Sequence, residues 1–300
     1  MVAKTYTIEL PDPLPGVIDS AAAWYGPDME SRTDWIYELT KDEIGEICAA
    51  VQTVQGRDME ITDIGQKDFT LPTLSVRLRA ILSDIVHGRG FALLRGLPVS
   101  DWSIREAAIA YFGLGTHLGR VMSQNARGHV LGHIRDLGKN AETDPTARVY
   151  ETAERQTYHT DRCDIVGLLC LQTAKSGGAS SLVSSITVYN ELRRRSPELV
   201  RTLFEPYPMD RRGEVGPGQD PYSMTPVFTW CDNQLSTYFV GRYIESASRF
   251  EEAPPLTAQQ VDAMKQFEDL TNDPALHMNM EFKPGDVQLV YNHTLLHDRT

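Results

Sequence analysis

The sequence predicts a mainly β fold, a sandwich or barrel wrapped by helices and built as one domain. Three observations predict it. After about residue 120 the chain breaks into short apolar runs separated by turn residues, the texture of an all-β core. Ahead of that point, amphipathic segments with capping signals fill the first third. No internal repeat, low-complexity tract or linker divides the 300 residues, a length that sets only a soft prior on domain number.

The elements follow in order. Thr40-Lys41-Asp42-Glu43 is a capping box ahead of Ile44, Ile47, Cys48, Val51 and Val54, which share one helical face. A second helix follows Pro72, with Leu74, Leu78, Ile81, Leu82 and Ile85 inward and Gly88 as its stop. Phe91-Ala92-Leu93-Leu94-Arg95 reads as a short buried strand closed by Gly96-Leu97-Pro98. Ser103-Ile104-Arg105-Glu106 caps a third helix, expected to end near Gly113. The glycines of 113–119 imitate a dinucleotide loop, but they follow a helix rather than a strand, so they read as helix-ending residues. Strands are expected at 149–150, 164–172, 182–184, 227–230, 235–240, 277–282 and 287–291, the last introduced by the turn Pro284-Gly285-Asp286. Helices interrupt them at 185–195, at 197–204 and after the capping box Thr257-Ala258-Gln259-Gln260.

Charge and composition narrow the function. The 29 basic against 41 acidic residues give a net charge of −12, which argues against a nucleic-acid partner, since phosphate binding needs basic patches. The cluster Arg193-Arg194-Arg195 reads as a solvated helix end. The longest apolar run, Ile165-Val166-Gly167-Leu168-Leu169-Cys170-Leu171, has strand length, so no membrane span is expected. The N-terminal stretch lacks the apolar core of a signal peptide. Four cysteines without a CxxC pair suit a reducing cytoplasm. The expectation is a cytoplasmic enzyme or small-molecule binder, with a homo-oligomer open.

Phosphate-loop, serine-elbow and HExxH motifs are absent, which leaves the eight histidines as the place to search. In His159-Thr160-Asp161 an extended backbone sends residues i and i+2 to the same face, so imidazole and carboxylate can converge. That pair is two-thirds of a facial iron triad. A third ligand has to be another histidine. His293 and His297 both follow the 287–291 strand. His297 sits in a polar His-Asp-Arg cluster, while His293 with Asn292 fits a supporting shell. His129 and His133 read as strand or substrate-cleft residues, and His87, His117 and His277 as cap or surface residues.

His159-x-Asp161, then Lys175-Ser176-Gly177-Gly178-Ala179-Ser180, then His297, resembles the taurine dioxygenase (TauD/TfdA) family of Fe(II)/2-oxoglutarate oxygenases. Upstream, Gly90-Phe91-Ala92-Leu93-Leu94-Arg95-Gly96-Leu97-Pro98 is similar to the strand and turn that open that family's N-terminal half. The resemblance implies a double-stranded β-helix (jelly roll) core over about 119–300 behind a helix-rich part over about 1–118. It implies iron on His159, Asp161 and His297, with 2-oxoglutarate and O2 as cosubstrates and Ser180 near the distal carboxylate of 2-oxoglutarate. A carboxylate at Asp161 implies hydroxylation, desaturation or ring closure rather than halogenation. The family also carries an arginine well beyond the distal histidine to clamp that carboxylate. Arg299 lies too near His297 for that role, so the clamp and the strand that bears it are expected beyond Thr300, in a longer protein.

The substrate is expected to be a small carboxylate- or amine-bearing molecule, met by Gln124, Asn125, His133, Tyr238 and Arg242. Arg162, Arg211 and Arg212 could draw an anionic group. Two other classes remain open on the residues: a metal-binding jelly roll without turnover, and a zinc-dependent hydrolase, because zinc accepts the same ligands.

Overall fold

The computed structural model describes residues 10–123, 128–138, 152 and 154–299. Its helices and strands run α1 (Gly26–Glu30), β1 (Ile36–Glu38), α2 (Lys41–Gly56), α3 (Leu74–His87), β2 (Phe91–Arg95), α4 (Ile104–Leu118), β3 (Gln156–His159), β4 (Ile165–Leu169), β5 (Ser180–Ser184), α5 (Ser185–Arg195), α6 (Pro197–Val200), β6 (Pro206–Asp210), β7 (Tyr222–Pro226), β8 (Phe228–Cys231), β9 (Gln234–Thr237), α7 (Gly241–Ser246), α8 (Ala258–Thr271), β10 (His277–Met280), β11 (Val287–Tyr291) and β12 (Leu295–Arg299).

All three expected capping boxes close. Thr40 and Glu43 open α2, Ser103 and Glu106 open α4, and Thr257 and Gln260 open α8. In each, the hydroxyl takes one orphan backbone N–H and the longer side chain takes another. One helix end differs from expectation. Helix α4 runs through Gly113 and Gly115 to Leu118, and Gly119 follows it. Gly113 is a packing residue instead: a Cβ there would stand 2.3 Å from the Phe69 ring.

Two four-stranded sheets form the core, in the orders β1-β2-β11-β4 and β10-β5-β12-β3. All pairings within them are antiparallel except β1 with β2. From β3 to β5, and again from β10 to β12, consecutive strands alternate between the two sheets. This is the jelly roll that the sequence led us to expect. The helix-rich part is not separate from it, because β1 and β2 complete the first sheet.

Period-two alternation sorts the side chains into three cores. Phe91, Leu93 and Val290 of the first sheet meet Leu182, Met278, Met280 and Leu295 of the second, with Trp24 and Trp35 closing the space between. The opposite face of the first sheet, through Ala92, Leu94, Val287 and Leu289, packs on α2, α3 and α4. The opposite face of the second, through Tyr158, Val183 and Leu296, packs on α5, α8 and the β8–β9 hairpin. Strands covered on both faces read as continuous apolar runs, which is why β2 and β11 were legible. Strand β12, whose sequence is Leu-Leu-His-Asp-Arg, was not. Nor were the short β1 or the proline-bearing β6 and β7. The strand expected at 149–150 lies outside the described residues.

Candidate active site

The site stands where β3 and β12 pair. His297 is the register partner of His159, and the two rings lie 4.1 Å apart by their centroids. Asp161 follows two residues after His159, just past the end of β3. Its Oδ2 is 3.4 Å from His297 Nε2 and its Oδ1 is 4.0 Å from His159 Nε2. One donor atom from each residue lies within 4.8 Å of the others. Among the described residues this is the only such convergence of histidine, cysteine and acidic groups.

Neighbouring groups set each ligand's chemistry. His159 Nδ1 lies 2.8 Å from the Thr157 carbonyl, so it donates there and leaves the Nε2 lone pair toward the triad. Gln156 presents its amide nitrogen 2.8 Å from that Nε2. Burial and the neighbouring His297 push the His159 imidazole down to about 4, against the opposing pull of Asp161. Burial pushes the Asp161 carboxyl up, but the hydrogen bond from His297 and the two imidazole charges outweigh it and hold the group at about 2. At neutral pH the His159 imidazole is therefore neutral and the Asp161 carboxyl ionised, the protonation states a metal would require. His297 Nδ1 is buried without a hydrogen-bond partner among the described residues. A two-histidine, one-carboxylate set with an open side is the donor set of non-haem Fe(II), and the residues fit that metal.

Alternation along β12 explains the polar cluster around His297. Leu295, His297 and Arg299 share the inter-sheet face, whereas Asp298 turns outward to Arg155 at 2.6 Å. Asn292 supports the Asp161 loop as expected: its Oδ1 accepts from Asp161 N at 3.0 Å, and its Nδ2 donates to the Cys163 carbonyl at 2.9 Å. His293 is engaged elsewhere, with Asp164 at 2.9 Å and Ser236 at 2.6 Å. Thr160, between the two ligands, accepts from Phe239 N at 3.0 Å and donates its own N–H to the Phe239 carbonyl at 2.9 Å. That exchange brings Tyr238 beside the site.

Ser180 is buried on β5, opposite Arg299, with its hydroxyl 3.0–3.1 Å from the Gln288 amide. Gln288, fully buried on β11, was missed; a lone glutamine inside an apolar strand was the available signal. Gln156 was missed too, because nothing local reveals that a residue three positions before His159 reaches its Nε2. Tyr238 lies at the site through Arg162, whose Nε donates to its hydroxyl at 2.7 Å. Arg242 is paired with Glu154 at 3.0 Å. His133 is exposed and makes no hydrogen bond or ring contact with the triad. Gln124 and Asn125 lie outside the described residues.

A jelly roll carrying such a triad defines a non-haem iron oxygenase scaffold. The sequence matches the Taurine catabolism dioxygenase TauD, TfdA family over residues 56–300. The chain belongs to that family, and it is an Fe(II)/2-oxoglutarate-dependent dioxygenase acting on a small molecule. It is 30% identical to FR-33289 synthase of Streptomyces rubellomurinus over 286 residues, 94% of this chain and 83% of that one. To the taurine hydroxylase-like protein SAT17 of Stachybotrys chartarum it is 29% identical, over 95% of this chain and 75% of that one. Among solved structures, an asparagine oxygenase in complex with Fe(II), 3-hydroxyasparagine and succinate superposes with a TM-score of 0.69. That match has 15% identity and covers 89% of this chain and 88% of the other. No helix among the described residues is long and apolar enough to cross a membrane.

Proposed function

We propose that His159, Asp161 and His297 hold the Fe(II), and that the enzyme hydroxylates a small carboxylate- or amine-bearing substrate at the open side of this triad. The observation that carries the reading is the convergence of the three donor atoms within 4.8 Å. Bound there, the iron supplies O2-dependent oxidation of a C–H bond coupled to conversion of 2-oxoglutarate into succinate and carbon dioxide. The protein's part is positioning. The Thr157 carbonyl fixes the His159 tautomer, Asn292 holds the Asp161 backbone, and the Thr160–Phe239 exchange fixes the backbone between the two ligands. Ser180, inside the sandwich, is the proposed contact for the distal carboxylate of 2-oxoglutarate. The shared first sheet supports reading residues 1–300 as one domain, and the free cysteines among the described residues support a cytoplasmic location.

The test is metal analysis combined with succinate release. Wild type should bind one Fe(II) per chain and consume 2-oxoglutarate, while Asp161→Ala keeps the fold and loses both. A zinc-dependent hydrolase, or a module without turnover, would release no succinate after iron loading. If His293→Ala loses iron and His297→Ala does not, the distal ligand is wrongly assigned.

A further inference from the structure

We propose that Arg162, seated on Tyr238, is the anchor for an oxyanion on the substrate, be it carboxylate, sulfonate or phosphonate. The proposal rests on the triad reading above and names the substrate class for that site. Arg162 directly follows the ligand Asp161. Its Nε donates to the Tyr238 hydroxyl at 2.7 Å, and its guanidinium carbon lies 5.6 Å from the Tyr238 ring centroid. Tyr238 is itself fixed: its N–H donates to the Val227 carbonyl at 2.9 Å, and its neighbour Phe239 exchanges two hydrogen bonds with Thr160, the residue between the two ligands. The guanidinium is thus held relative to the triad through both ends of one short segment.

Arg162 combines this seat beside Asp161 with the absence of a counter-charge. Four other arginines are neutralised: Arg155 by Asp298, Arg242 by Glu154, Arg212 and Arg249 by Asp210. Arg162 has no carboxylate partner among the described residues, in a chain of net charge −12. With Nε engaged, its two terminal nitrogens keep their donors in the planar fork that matches an oxyanion. The Tyr238 hydroxyl accepts from Arg162, which leaves its own O–H as a further donor. The cosubstrate is a less suitable occupant. The residue proposed for its distal carboxylate, Ser180, is buried between the sheets, whereas Arg162 is exposed at the rim.

The experiment titrates methylphosphonate, methanesulfonate and acetate, with acetamide as the neutral control. Each is added anaerobically to protein saturated with Fe(II) and 2-oxoglutarate, and separately to metal-free protein. Wild type should bind at least one of the anions in preference to acetamide, and more weakly as salt rises. Arg162→Gln should weaken that binding by about 10–100-fold, with unchanged affinity for Fe(II) and 2-oxoglutarate and an unchanged unfolding midpoint. Arg162→Lys should fall between the two, because it keeps the charge and loses the fork. Three results overturn the proposal: no preference for any anion, an Arg162→Gln protein that binds as wild type does, or a loss confined to 2-oxoglutarate affinity. If Fe(II) binding fails while Arg162-dependent anion binding persists in the metal-free protein, the triad reading is at fault and the anion site stands.

Discussion

Removing Asn292 separates support of the proposed ligand Asp161 from support of the fold. Asn292 is 3% exposed, and it joins the Asp161 N–H to the Cys163 carbonyl across the turn that carries the carboxylate. In Asn292→Ala these two hydrogen bonds are lost, each worth about 1 kcal/mol net, together with the weaker contact from Nδ2 to the Cys163 Sγ at 3.4 Å. At about 2.1 cal/mol/K of unfolding entropy per residue over 300 residues, a loss of about 2 kcal/mol lowers the unfolding midpoint by about 3 °C. The larger effect belongs to the metal. Without the brace, Asp161 samples positions away from the two imidazoles, and loss of such an outer partner costs about 10–100-fold in metal affinity. The assay is anaerobic Fe(II) titration in competition with a chromophoric chelator, beside thermal unfolding of the metal-free protein. Ser180→Ala is the control, since it also loses a buried hydrogen bond, to Gln288, but does not touch Asp161. If Asn292→Ala binds Fe(II) as tightly as wild type, or Ser180→Ala weakens it equally, the bracing argument is refuted.

Other outcomes test the fold and its pH dependence. Arg95 grips the fully buried Asp286 through Nε at 2.9 Å and a terminal nitrogen at 2.8 Å, so Arg95→Met should cost about 3–5 kcal/mol; a loss below 1 kcal/mol in urea unfolding would contradict the pairing. Gly113→Ala pits a helix-propensity gain of about 1 kcal/mol against a Cβ 2.3 Å from a fully buried Phe69. Overpacking of about 1–3 kcal/mol should win, and Phe69→Leu in the same chain should relieve it; a stabilised Gly113→Ala protein would overturn that ranking. The His159 imidazole is held at about 4 in the folded state, below its ordinary value near 6.5. The unfolded chain therefore binds more protons between those values, and stability falls on acidification from about pH 6.5 to 4, by about 3 kcal/mol in all. Urea midpoints of metal-free protein across that range should show the slope, and His159→Asn should be flatter by that amount; parallel curves would refute it.

Much of the local structure was legible because its causes are local. A hydroxyl followed three residues later by Glu or Gln marks a helix start whatever the surroundings, and Thr40, Ser103 and Thr257 all behaved so. The apolar runs of β2 and β11 announced strands covered on both faces, and the run of β4 announced a half-buried edge strand. His159-Thr160-Asp161 needed only an extended backbone to aim an imidazole and a carboxylate at one point. Gly113 misled because a glycine that ends a helix and one that admits a ring look identical in sequence, and only the presence of Phe69 separates them.

By itself, then, the sequence determined the capped helix starts, the buried strands β2, β5 and β11, a sandwich or barrel class and one converging imidazole–carboxylate pair, together with a choice of third residue. The tertiary structure decided that β12 is a strand at all, inserted between β5 and β3, with His297 in register with His159 and His293 turned away to Asp164. It also decided that Ser180 meets Gln288, that Asn292 braces Asp161, and that Arg162 stands on Tyr238 without a carboxylate. Periodicity and caps act over a few residues, so they can be read along the chain. Strand pairing joins residues from opposite halves of it, and a one-residue slip would turn His297 to the outer face.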